Sequence, residues 1–314
     1  MADELTYALI TPYSLLKSRT GGILGRLLSL TDLEIVGATM FAPSDTFVDK
    51  YCATLEEQDT KPAWKKVMIN YVNSNFRKEN KFRITNRMLL LFFRGKRAIE
   101  KLKDEVIGPI TSFQGHTIRG SFGDYVESSD GTVEYFEPAV LSSADPVTNN
   151  KQLALFAEHI TQDGGVIENI VKFPEGSKPE TTLVILKPFE DRSPLPGNII
   201  DMFSRTGLYI VGMKLLRLSI DQANEFYGPL VDIFREKLKP KPEKIAEKLR
   251  EGFKTTFSFE VPASVVSSHA EQLSEQLKDM NARHEFNKIV QYMTGVDPEK
   301  TSQADKAKPG TARC

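Results

Sequence analysis

The sequence has little of what would point it toward a membrane, a nucleic acid or an oxidising compartment. Two cysteines in 314 residues, Cys52 and Cys314, cannot build a disulfide framework, so a reducing compartment is expected. The longest apolar run, residues 88–93 (MLLLFF), is far too short to span a bilayer. The N-terminal MADELTYALITPY has no basic start followed by a long apolar stretch, so no secretory signal is read there. Neither sign of charge is in excess: the net charge of −1 gives no long-range pull toward nucleic acid or an anionic membrane. His269 and His284 have no metal-ligand spacing to each other, and no metal site is read. A soluble, cytoplasmic protein is expected.

What is present is a repeat. Residues 181–212 read as a buried strand at 182–186, a loop, an amphipathic helix at about 197–203, and a second strand at 208–216. Residues 5–37 carry the same design: Pro12 matches Pro188 and Gly21 matches Gly197 at an offset of 176, while LEIVG at 33–37 matches LYIVG at 208–212 at 175. Tyr51 and Tyr227 return to 176. Chance seldom holds an offset over five landmarks, so the chain reads as an internal duplication. Two copies are too few for a solenoid, and 314 residues suit two domains. The expected boundaries are 1–160 for the first copy, 161–180 for a linker and 181–314 for the second.

Along the first copy, 7–10 and 33–41 read as strands around a helix that begins near Gly21. Ser44 is a plausible N-cap for the helix carrying Phe47 and Tyr51. A further helix is expected at 64–72, a central strand at 88–93, a charged helix at 97–105, another strand region at 115–122 and the residues beyond, and a closing helix at 147–159. With no hairpin signal read, this order implies an α+β sandwich of ferredoxin-like, split βαβ type with extra helices. The second copy is interrupted at 237–283, where Lys-Pro-Lys-Pro is a stiff break. Ile245, Leu249, Phe253, Leu273 and Leu277 fall on helical patterns there, so the insertion is expected to be folded. Its alternating Lys and Glu read as a solvated face. The repeat resumes at 286–294, which follows 65–73 at an offset of 221. Spacing from Tyr292 makes the terminal KPGTARC the lead into a central strand, as 84–87 leads into 88–93. The chain would then stop where that strand should begin, as a fragment or truncated product would.

ALITPYSLLKSRTGGILGRLL and VILKPFEDRSPLPGNIIDMF both resemble the opening of nucleoside diphosphate kinases, with a Gly ten residues after the position of the family's Lys. GHTIRGSF at 115–122 resembles that family's Gly-Thr-Ile-Arg-Gly-x-Phe motif. SADPVTNNKQLALFAEH at 143–159 is similar to the stretch following its catalytic histidine. The resemblance implies two tandem domains of this type, the second incomplete. It also implies phosphoryl transfer from a nucleoside triphosphate to a diphosphate through a phosphohistidine, with Mg²⁺ accompanying the nucleotide.

In the first copy the family's Lys falls on Thr11 and its Asp on Tyr13. Its active-site histidine falls on Leu141 and the Asn before it on Pro138. About nine extra residues near 127–135 separate Arg119 from Leu141. Arg119 and Tyr51 survive, with Lys103 near where a second arginine is usual, but leucine cannot be phosphorylated, so this copy is expected to be inactive. Lys187, with Glu190 in the same turn, and Tyr227 are the nucleotide-site candidates of the second copy. Two readings follow: a kinase whose live site is completed beyond Cys314, or a pseudo-kinase that binds nucleotide through the first copy or scaffolds an assembly. The family's members form oligomers, so self-association is implied by resemblance.

Overall fold

Residue pattern and element agree through most of the first copy. The computed structural model describes residues 2–58, 62–80, 85–109, 115–168, 170, 173–189 and 192–314; Ile84 and Glu190 of the sequence reading lie outside them. The apolar run at 7–10 is the buried end of β1 (Glu4–Ile10), and Pro12 opens α1 (Pro12–Leu16) behind a Thr11 cap. α2 (Thr20–Ser29) buries Ile23, Leu24, Leu27 and Leu28 on one stripe. After β2 (Glu34–Phe41), Ser44 caps α3 (Asp45–Glu56) by accepting from the Phe47 amide at 3.4 Å. α4 (Pro62–Asn75) and β3 (Met88–Gly95) follow. The charged helix begins as α5 (Ala98–Glu100) and widens into a π-helical stretch (Lys101–Ile107).

Four strands pair in the order β2-β3-β1-β6, where β6 is Val140–Leu141 and every neighbouring pair is antiparallel. β1 and β2 therefore run parallel with β3 between them, the split βαβ arrangement of an α+β domain. Alternation along β1 sends Ala8 and Ile10 into the core beneath α2 and the π-helical stretch. Tyr7 and Leu9 point into the other core, with Phe47, Tyr51 and Phe156. The closing helix, α7 (Pro146–Asp163), supplies Phe156 to that second core.

Three expectations fail. The strand region expected at 115–122 and the residues beyond begins only at Asp124: within 115–122 Thr117 accepts from the Gly120 amide at 3.1 Å and caps a short helix, α6 (Ile118–Phe122). This local side-chain bond offers the backbone an alternative to a ladder. Directly after it comes the hairpin that no signal was read for, β4 (Asp124–Glu127) with β5 (Val133–Glu137). Its turn holds Asp130 and Gly131, the latter at φ +81°, a position that favours glycine. The residues read as extra near 127–135 lie in this hairpin.

The third correction concerns the strands expected at 182–186 and 208–216. Neither is a strand, and Leu183, Leu208 and Tyr209 are exposed. The reason lies in the topology of the first copy. There β1 and β2 are joined only through β3, so two such segments without a strand between them have no ladder to enter.

The helix between those segments forms as expected, as α8 (Leu195–Ser204), and it packs on α2. The approach is as close as backbones allow. A Cβ on Gly21 would lie 2.5 Å from the Gly197 carbonyl oxygen, and a Cβ on Gly197 would lie 2.5 Å from that of Gly21. Along the outer edge of β2, Thr39 bridges Lys214 antiparallel, and Met40 accepts from the Gly165 amide at 2.9 Å. Arg87 reaches the Ile210 carbonyl and stacks over Tyr209 at 5.7 Å. The edge of β2 is thus covered. Residues 1–215 form one compact unit, with the front of the second copy inside it.

The second unit, 216–314, is helical. Ser219 and Gln222 make a capping box at the start of α9 (Ile220–Tyr227). α10 (Leu230–Lys237), α11 (Pro242–Phe257) and α12 (Ala263–Thr294) follow. α11 and α12 pack through Ala246, Val266 and Ala270, so this part of 237–283 is folded and helical. α12 then continues without a break to Thr294, and its Phe286 and Val290 meet Ile220 and Ala223. At the end of this unit Leu216 and Cys314 exchange both backbone hydrogen bonds at 2.9 Å. Phe41 and Met88 are register partners in the first copy, and Phe41 is the counterpart of Leu216 at the offset of 175.

Candidate functional site

The first-copy residues singled out by sequence are gathered at the C-terminal end of β1. Thr11 is fully buried. Its hydroxyl donates to the Glu137 carboxylate at 3.0 Å and lies 3.1 Å from Ser14 Oγ. Leu141 is also fully buried and pairs with Leu9 across the sheet, so the position expected for a histidine holds an inert side chain. Arg119 is half-buried with its guanidinium turned inward, donating to the carbonyls of Gly108 at 2.7 Å and Val140 at 3.3 Å. Nε of Arg119 is shielded from solvent and has no hydrogen-bond partner. Burial lowers its pKa to about 10. Such a cation is committed to backbone carbonyls.

Tyr51 faces inward too. Its hydroxyl lies 2.7 Å from that of Tyr7, which donates to Gln152 Oε1 at 2.8 Å; Gln152 in turn donates to Thr54 Oγ1 at 3.0 Å. Burial raises both phenols above their ordinary value. Lys103 is half-buried and shares its ammonium between the Ala144 carbonyl, at 3.3 Å, and Asp104, at 3.4 Å. The arrangement is a hydrogen-bonded interior in which Arg119 and Lys103 are held by backbone carbonyls.

One residue that the sequence reading missed is central here. Glu137 is 1% exposed and accepts from Thr11 and from the Tyr71 hydroxyl, the latter at 2.6 Å. Burial and the neighbouring carboxylate together hold the Tyr71 phenol above its ordinary value. The available signal was a carboxylate next to Phe136 and Pro138 in an otherwise apolar stretch. A buried charge in such a place has to be paired or hydrogen-bonded.

The second-copy candidates fall in different compact units. Lys187 is exposed in the first compact unit, while Tyr227 ends α9 in the second. Tyr227 packs half-buried against the Ile220, Ala223 and Phe286 core, and burial raises its phenol pKa. Among the described residues no group of three or more His, Cys, Asp or Glu side chains could hold a metal ion. Among them, too, no helix is long and apolar enough to cross a membrane.

The family model for nucleoside diphosphate kinase matches residues 180–236. The nucleoside diphosphate kinase of Staphylothermus marinus is 50% identical over 49 residues, 16% of this chain and 35% of its own length. That of Acidiphilium cryptum is 49% identical over 49 residues, with the same shares. The chain spans about a third of the length of these curated relatives. Among solved structures, a nucleoside-diphosphate kinase from Borrelia burgdorferi with bound vanadate and ADP is 16% identical, with a TM-score of 0.37 over 56% of this chain and 95% of its own. The Aquifex aeolicus enzyme is 19% identical, with a TM-score of 0.35 over 49% and 95%. The chain is related to the nucleoside diphosphate kinase family, and the sequence that carries the relationship lies in 180–236.

Proposed function

We propose that residues 1–160 and 181–314 are two copies of one nucleoside diphosphate kinase-like domain, and that the first copy neither transfers phosphate nor binds nucleotide but supports the second. The two-copy reading draws on residues that meet their own counterparts, Gly21 with Gly197 and Thr39 with Lys214. Self-contact of equivalent positions is the mark of an isologous, two-fold interface, here within one chain. The silent reading rests on a single observation. The position of the phosphorylated histidine is a fully buried leucine, with the buried Glu137 carboxylate four residues before it.

In the family's reaction a histidine nitrogen takes the γ-phosphoryl group of a nucleoside triphosphate, releasing the diphosphate, and passes it to a second diphosphate. Cations must meet the charge on the transferring group. In the first copy Thr11 carries no charge, and Arg119 is spent on carbonyls. Phosphate contact is assigned instead to Lys187 of the second copy, with Mg²⁺ held by the nucleotide. A cytoplasmic location and self-association complete the reading.

The test is incubation of the purified chain with Mg²⁺ and γ-labelled ATP, followed by peptide mapping. No acid-labile phosphate is expected on residues 1–160, and Arg119→Ala should leave any nucleotide affinity unchanged while Lys187→Ala lowers it. Phosphohistidine at His116 or His159 would sink the proposal.

A further inference from the structure

The hairpin β4–β5 is more than an addition at the surface. Its base is tied down on one side by an Asp124–Arg19 ion pair at 3.2 Å and by Arg19 donating to the Phe122 carbonyl. On the other side Glu137 reaches Thr11 and Tyr71. Between these anchors the hairpin lays aromatic rings on α4. The centroids of Tyr125 and Trp64 are 5.6 Å apart, those of Phe136 and Trp64 6.1 Å, and those of Phe136 and Tyr71 5.5 Å. Phe136 is buried, while the tip at 129–131 is exposed. One short element therefore delivers an aromatic face and a carboxylate together. The carboxylate goes to the residue standing where the family's phosphate-binding lysine would stand.

We infer that this hairpin is a built-in ligand of the first copy: its rings against Trp64 stand in for a base, and the Glu137 carboxylate beside Thr11 stands in for a phosphate oxygen. The inference rests on the reading of the first copy as a silent relative of the family, and it explains how that silence is kept. Loss of the lysine and histidine alone would leave an empty polar cleft with unpartnered groups, which is costly. An anion supplied in cis satisfies the Thr11 and Tyr71 hydroxyls, and rings supplied in cis bury the apolar wall. Being part of the chain, the occupant has a high effective concentration and competes with any free nucleotide.

The whole chain can test this, because Trp64 is its single tryptophan and reports on the cleft by its own emission. Two chains are compared, Thr11→Lys alone and Thr11→Lys with residues 125–137 replaced by a four-residue Gly/Ser linker. Asp124 and Glu137 are cross-strand partners, so the ends to be joined are adjacent. Millimolar ADP is the probe. With the hairpin present, the restored cation should meet Glu137 and Trp64 emission should not respond. With it removed, a saturable change is expected, with an affinity at least about tenfold higher.

Equal affinity in the two chains would overturn the inference, as would absence of binding by a linker chain that still melts cooperatively. If the linker chain does not fold, Thr11→Lys with Tyr125→Ala and Glu137→Gln replaces it; that chain must bind more tightly than Thr11→Lys alone or the inference fails. Failure of the underlying reading looks different. It would appear as label on, or a Trp64 response to nucleotide in, the unsubstituted chain.

Discussion

Segments 5–10 and 181–186 are counterparts in sequence, yet one is the buried strand β1 and the other forms no strand and is exposed at 181–184. Tyr7 and Leu183 occupy the same place in the repeat; Tyr7 is 0% and Leu183 74% exposed. The difference does not come from the segments themselves, since both are apolar and rich in β-formers. It comes from β3, which pairs with β1 and β2 at once. Strand propensity is a statement about what a residue packs against, and the partner here is remote in sequence.

The sharpest way to test this comparison is to truncate both counterparts. Tyr7→Ala removes a fully buried ring and its bonds to Tyr51 and Gln152, and should cost more than about 3 kcal/mol. Leu183→Ala should stay within about 0.5 kcal/mol. Urea denaturation of the two variants measures both. Similar costs would mean that residues 181–186 are buried in solution.

The same contrast marks how far the sequence could be read. Helices whose apolar residues recur at 3–4 spacing, such as α4 and α7, and the central run of β3, were legible because their signal is local. Residues 182–186 were misread because a strand needs a neighbour that no local window contains. The hairpin escaped although Asp130-Gly131 was in plain view, since the length between Arg119 and Leu141 was taken as an excess and not as an element. Glu137 was invisible for a further reason. A carboxylate's burial depends on hydroxyls from Thr11 and Tyr71, both more than sixty residues away in the chain.

A second comparison sets two helical glycines against each other. Gly197 of α8 meets the backbone of α2, so Gly197→Ala pushes a Cβ into the Gly21 carbonyl and should destabilise by about 1–3 kcal/mol. Gly252 of α11 has nothing within 4 Å of the same added atom, and Gly252→Ala should stabilise by about 0.5–1 kcal/mol through helix propensity alone. Thermal melts of the two chains should move in opposite directions. A neutral Gly197→Ala would show that the two helices do not pack in solution, and the two-copy reading would lose its main support.

Buried phenols separate the regions by pH. A folded pKa above the unfolded value gives stability that is complete below about pH 10 and lost as pH rises through the folded value. Tyr7, Tyr51, Tyr71, Tyr125, Tyr135 and Tyr227 are all shifted this way. Arg87 and Arg119, lowered to about 10 by burial, act in the opposite sense, because the unfolded chain holds their protons longer. Six groups outweigh two, so stability should fall above pH 10. Tyr51→Phe should make that fall shallower by about 1.4 kcal/mol per pH unit, read from urea midpoints between pH 10 and 11. Since five of the six phenols lie in residues 1–160, the alkaline transition should report chiefly on the first copy.

The smallest expected effect is the most useful for function. Thr11 and Lys187 are counterparts: the first is a buried cap bonded to Glu137, the second an exposed ammonium. Thr11→Ala should cost about 1–3 kcal/mol, because it strips the α1 cap and leaves a buried carboxylate short of a donor. Lys187→Ala should stay within about 0.5 kcal/mol, as exposed side chains generally do. That near-silence in a urea titration makes the substitution a clean probe, since any fall in nucleotide affinity must then come from a lost contact and not from a loosened fold. A Lys187→Ala chain that binds ADP as well as the parent would remove the last cation assigned to phosphate. A chain that binds more weakly, with an unchanged urea midpoint, would place the working site in the copy whose strands are unpaired, and the support for it in the copy whose site is filled.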